Sequence, residues 1–247
     1  MARQHAKLCA HGDPHPRRSV LETSFALTGT AVDNAALTEI AHAEVVTKAK
    51  RAKLTPDAIL ALMKLGNKRF TSSSRQDHNC LAQQRASASG QFPVAVLLSC
   101  IDSRAPAERI MDLRIGDIFN TRLAGNVANP DALGGMEFAC KLMGAKVVLV
   151  MGHTSCGAIK GAIDNAELGK LTGLLAKIKP AVAATVYTGE RSSKNYAFVD
   201  AVARKNVELT MDAIRKNSPV LAGMESSGAI KIAGSMYNLA TGVIDFF

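Results

Sequence analysis

The chain has 247 residues, 47% hydrophobic and 21% charged, with Lys+Arg 30 against Asp+Glu 21 for a formal charge of +9. That length suits one α/β domain with a full core plus an extension, and no apolar run approaches the roughly 18–20 residues of a membrane span, so no membrane partner is expected. Aromatic residues are only 4% and no stacking motif accompanies the basic ones, so no nucleic-acid partner is expected either and the positive charge reads as a solvated surface that favours anions.

Residues 1–50 read as an N-terminal extension, unlike the rest in holding Cys9, His5, His11 and His15 close together. Arg17-Arg18 followed by the modest apolar stretch from Ser24 to Val32 has the outline of a degenerate twin-arginine export signal, interrupted by Glu22, Asp33 and Glu39. A cytoplasmic location is expected, or a periplasmic one if that signal works. Residues 51–247 are expected to form the functional domain.

Within that domain, Thr55-Pro56-Asp57 carries N-cap, first-turn proline and first-turn acid, and Ile59, Leu62, Met63 and Phe70 recur at helical spacing. The resulting amphipathic helix has no obvious partner in a single α/β layer. A second short helix spans His78 to about Ala88, and Gly90-Gln91-Phe92-Pro93 leads into a strand beginning near Val94. A short helix from Pro106 to near Ile115 follows, then a strand over Asp117 to Arg122, a helix from Ala132 to Met143 closed by Gly144, and a strand from Lys146 to Met151. Beyond it lie a helix from Gly157, one longer helix from Leu168 to Val186, a helix from Tyr196 to Lys216, and closing strands at Ala229 to Gly234 and Gly242 to Phe246. Strands alternating with helices define an α/β fold with a mostly parallel central sheet flanked by helices.

Two of these strands end in residues with chemistry. The first breaks into Cys100-Ile-Asp102-Ser-Arg104, the third into His153-Thr-Ser-Cys156-Gly157, and open parallel sheets place their sites at such carboxyl ends. A strand-end Cys is usually core, and a His-x-x-Cys pair arises by chance; their conjunction at one sheet edge with Asp102 and Arg104 is what points to a metal site. Two thiolates and an imidazole suit Zn2+. Water in the fourth position makes the site catalytic, whereas Asp102 there as a fourth ligand closes it. Off the metal, Asp102 can accept a hydrogen bond from zinc-bound hydroxide and aim its lone pair, with Arg104 holding the carboxylate by paired bonds. Of the other cysteines among the five, Cys140 reads as a small buried hydrophobe, and Cys9 and Cys80 belong to no constellation; the count is odd and the spacing is not that of a disulfide framework.

The joined Cys-x-Asp-x-Arg and His-x-x-Cys-Gly runs resemble the signature of the beta-class carbonic anhydrases, and the likeness extends from Leu65-Gly66-Asn67-x-Arg69-Phe70 to Gly234–Gly242. The resemblance implies reversible hydration of carbon dioxide to bicarbonate, one zinc per subunit on Cys100, His153 and Cys156, and an Asp102–Arg104 catalytic dyad. It also implies a homodimer or homotetramer, with the N-terminal helices packing on a partner subunit. Carried over by position, Gln91, Phe119, Phe138 and Gly157 are substrate-binding residues, with Phe138 standing where many members have tyrosine and reaching across the dimer interface. Ile101 and Leu123 depart from the usual residues of the pocket wall, and the chain has no Trp, with Leu97 near the position where members with a regulatory bicarbonate pocket carry one. Relatives of the same fold hydrolyse carbon disulfide or carbonyl sulfide, and a non-catalytic zinc or thiol-redox protein is the remaining alternative.

Overall fold

The computed structural model describes residues 45–247; the export pattern and the early Cys and His residues lie outside them. Continuous apolar runs make the central strands. β1 (Ala95–Ser99) and β3 (Val147–His153) are buried along their whole length, as runs apolar on both faces must be at the centre of a parallel sheet. β2 (Ile118–Arg122), which alternates, takes one edge. β4 (Lys231–Tyr237) runs parallel to β3, and β5 (Ile244–Phe246) closes the other edge antiparallel, giving the order β2-β1-β3-β4-β5. The sheet is therefore mostly parallel, as expected.

Because strand side chains alternate between faces, β1 and β3 feed two cores. Val96, Leu98, Val148 and Val150 join one, and Ala95, Leu97, Leu149 and Met151 the other. The first core is covered by helices that follow the strands in sequence: α5 (Pro130–Glu137), α6 (Gly157–Ile163), α7 (Gly169–Ala176), α8 (Lys179–Ala184), the long α9 (Tyr196–Asn217) and α10 (Pro219–Ser226). The second is covered by α2 (Pro56–Thr71) and α4 (Ala107–Ile110), with α1 (Lys48–Lys53) and α3 (Cys80–Ser87) completing the N-terminal region. Among the described residues no helix is long and apolar enough to cross a membrane.

The capping signal of α2 works as read, since Thr55 Oγ1 accepts from Ala58 N at 3.1 Å. Part of its apolar face is buried within its own chain, where Ile59 and Met63 pack with Leu97, Leu149 and Met151, while Leu62 and Phe70 are half-buried and Leu65 is exposed. The reason is geometric, because a parallel sheet has two apolar faces and the helices that follow its strands here cover mainly one of them.

Other elements differ in extent. α4 ends at Ile110, not near Ile115, because Asp112 turns the chain at φ 49°. The helix expected from Ala132 to Met143 loosens after Glu137 into a π turn, Phe138–Leu142. The single helix expected from Leu168 to Val186 is two, broken before Pro180, whose ring removes a donor and crowds the preceding residue. α1 and α10 lie outside the expected helices; α10 is capped by Ser218, whose Oγ accepts from Leu221 N at 3.1 Å, with Pro219 in its first turn.

Candidate metal centre

In register, Ser99 pairs with Met151 on one side and Arg122 on the other. Cys100 therefore leaves the sheet next to the end of β3, where His153 is the last strand residue and Cys156 is the N-cap of α6. Among the described residues, Cys100, His153 and Cys156 form the group fit to hold a metal: all three are buried and their ligand atoms lie within 4.8 Å of one another. The two sulfurs are 4.0 Å apart.

The backbone around these donors is tightly held. Gly125 N donates to Cys100 Sγ at 3.4 Å from a turn in which Gly125 has φ 65°, and a side chain there would meet Ile178 Cδ1 at 2.5 Å. Asn206 Nδ2 on α9 donates to the Gly125 carbonyl at 2.7 Å. From β2, Arg122 Nε donates to the Cys100 carbonyl at 2.9 Å and its Nη2 to the Asp102 carbonyl. Thr154 N donates to Tyr237 O at 3.0 Å, extending the β3–β4 ladder past His153.

His153 donates from Nδ1 to the Thr154 carbonyl at 2.8 Å, so in the neutral ring the lone pair is on Nε2. That nitrogen is buried with no hydrogen-bond partner, the state a metal ligand requires and one that is otherwise costly. The hydrogen bond from the Cys156 thiol pulls the Cys100 thiol down to about 4, while the same bond, with burial adding, pushes Cys156 up. The contact between the two sulfurs thus favours thiolate at Cys100 and thiol at Cys156. Two sulfurs and one imidazole nitrogen, buried and convergent, fit zinc.

Asp102 stands beside this group, its Oδ2 3.8 Å from His153 Nε2. Both its oxygens are engaged by Arg104: Oδ1 accepts from Arg104 N at 2.9 Å and Nε at 3.0 Å, and Oδ2 from Nη2 at 2.7 Å. The Arg104 bonds outweigh burial and hold the carboxyl down to about 2. Phe119 and Phe138 meet edge to face, centroids 6.4 Å apart, with Phe138 48% exposed. Gly157 is exposed at the start of α6 with open space where a side chain would project, and Gln91 is exposed in the loop before β1. No local sequence pattern marks Arg122, Asn206 or Asp200, the last accepting from Ser155 N at 2.7 Å. They are ordinary polar residues of a strand and a helix, far in sequence from what they hold.

An open, mostly parallel sheet with a Cys-His-Cys cluster fit for a metal at the carboxyl ends of two adjacent central strands defines the class: an α/β protein with a candidate metal centre. The family profile described as carbonic anhydrase matches residues 95–244. The chain is 33% identical over 189 residues to carbonic anhydrase 2 of Mycobacterium tuberculosis, covering 76% of this chain and 90% of the relative. It is 30% identical over 192 residues to the carbonic anhydrase of Mycolicibacterium smegmatis, covering 77% and 92%. Among solved structures, the β-carbonic anhydrase CafA of Aspergillus fumigatus is similar at a TM-score of 0.60 and 27% identity, over 77% of this chain and 89% of that one. The chain belongs to the carbonic anhydrase family, in its beta class.

Proposed function

We propose that this chain catalyses the reversible hydration of carbon dioxide to bicarbonate and a proton, with Cys100, His153 and Cys156 holding one zinc ion per subunit. The observation that carries the reading is the convergence of three buried donors beside a carboxylate locked to an arginine. When bound, zinc would supply the Lewis acidity that acidifies water into a nucleophile, less strongly than an all-histidine site does because two thiolates cancel the ion's charge, so alkaline conditions are favoured.

The chain's own residues orient and confine the reaction. Arg104 cannot lose its proton, so it keeps Asp102 ionised and turned towards itself, away from a role as fourth ligand. The remaining lone pairs of Asp102 accept the hydrogen of the attacking oxygen and aim it at the carbon. Phe119 and Phe138 offer apolar surface to carbon dioxide, and the Gln91 amide and the Gly157 N–H donate to the oxygens of bicarbonate. Exposed Phe138 and Leu142 on one π turn support assembly into a homodimer or homotetramer; the β-carbonic anhydrases solved from Sordaria macrospora are described as tetrameric.

Stopped-flow hydration of carbon dioxide, with and without chelation of zinc, tests the reading. A metal-loaded chain that does not accelerate hydration, yet hydrolyses carbonyl sulfide or carbon disulfide, would assign it to the other chemistry of this fold.

A further inference from the structure

His153 and Cys156 are joined by only two residues, and these must reverse the chain from the end of β3 into α6 while keeping both donors on one centre. Thr154 remains in the ladder with β4 and takes the His153 Nδ1 hydrogen on its carbonyl. The reversal therefore falls on Ser155, which adopts φ 55°, a left-handed backbone that residues other than glycine and asparagine rarely hold. Its N–H is given to Asp200 Oδ1 at 2.7 Å, from a helix 45 residues further along. Asp200 sits in the second turn of α9 and is not needed as that helix's cap, a role taken by Asn195, whose Oδ1 accepts from Phe198 N at 3.4 Å.

We propose that Asp200 is a positioning residue of the metal centre: its carboxylate holds Ser155 in the left-handed turn and so sets the distance between the His153 and Cys156 donors. The inference rests on those residues being metal ligands. A charge-assisted bond from carboxylate to peptide N–H is short and directional, and it reaches the one peptide of the turn that has no place in a helix or strand ladder. Without it Ser155 relaxes towards ordinary φ values, and the two donors part before the metal can join them. Outer groups that orient ligands in this way typically change metal affinity by 10–100-fold when removed.

The test uses the full chain and cobalt(II) as the probe, read by the thiolate-to-cobalt absorption band and by competition with a chelator. Asp200→Ala, or Asp200→Ser should the alanine variant not fold, is expected to weaken cobalt binding at least tenfold and to alter the band, with the thermal midpoint of the metal-free protein little changed. Asp200→Asn retains an acceptor oxygen and is expected to restore affinity to within about threefold of wild type. Adding Ser155→Gly to Asp200→Ala is expected to recover most of the loss, because glycine holds the left-handed turn unaided. Wild-type affinity in Asp200→Ala, or no recovery in either rescue variant, overturns the positioning role alone. Failure of the wild-type chain to show a thiolate-to-cobalt band overturns the metal centre itself.

Discussion

A carboxylate beside a metal with an open position is itself a ligand in waiting, so its usefulness depends on what else it is bound to. Asp102 is bound at both oxygens by Arg104, an exposed side chain whose charge no accessible pH removes. Arg104→Ala is therefore expected to retain its metal, measured by elemental analysis, while hydration slows by about 100-fold or more, the scale set by losing an oriented proton acceptor. Near-normal turnover with metal in place would leave Arg104 a structural residue. The ligands behave differently. Cys156 lies in the buried sulfur pair, and Cys156→Ser is expected to lose most of the metal and the hydration activity together; full metal content in that variant would remove Cys156 from the centre.

At the scale of elements, the joint between α2 and the turn after α4 carries two demands. Gly66 on α2 lies so close that a Cβ would stand 1.8 Å from the Met111 carbonyl oxygen, and backbone cannot yield as a side chain can. Gly66→Ala is expected to destabilise the protein by about 3 kcal/mol in urea unfolding, at the upper end of overpacking costs. One residue on, Asp112 turns the chain at φ 49° and buries a carboxylate that accepts from Arg69 Nε at 2.6 Å, Gln76 N at 3.1 Å and His78 Nε2 at 2.9 Å. Burial opposes its charge, but these donors outweigh it and hold the carboxyl below its ordinary value. A depressed folded-state value contributes stability that is complete above the unfolded carboxylate pKa of about 3.9 and is lost as pH falls through the folded one. Asp112→Asn is thus expected to cost about 1–3 kcal/mol at pH 7 and to flatten the loss of stability below about pH 4. Urea unfolding of the metal-free protein across that range measures both, and an unchanged acid limb would discount the carboxylate.

For the molecule as a whole, the aromatic on the π turn is one of several large apolar side chains left exposed, with Leu142 and Tyr196 among the others. Phe138 is half exposed against Phe119, and Phe138→Glu is expected to shift the protein to monomer in light scattering if copies meet there. An unchanged oligomer places the interface elsewhere. The sequence by itself determined which strands are central and where the three donors converge: β-branched and leucine runs buried on both faces cannot be edge strands, and Cys100 and the His153–Cys156 pair at their ends can meet only at the carboxyl edge. It did so because burial and strand direction are written in consecutive residues. Only the tertiary structure decided that α2 covers its own sheet, that Pro180 splits one expected helix into two, and that Arg122, Asn206 and Asp200 hold the ligand turns. Those contacts join residues tens of positions apart through single hydrogen bonds or one packed face, and such pairings leave no periodic trace along a chain; they exist only once the sheet has set both partners in place.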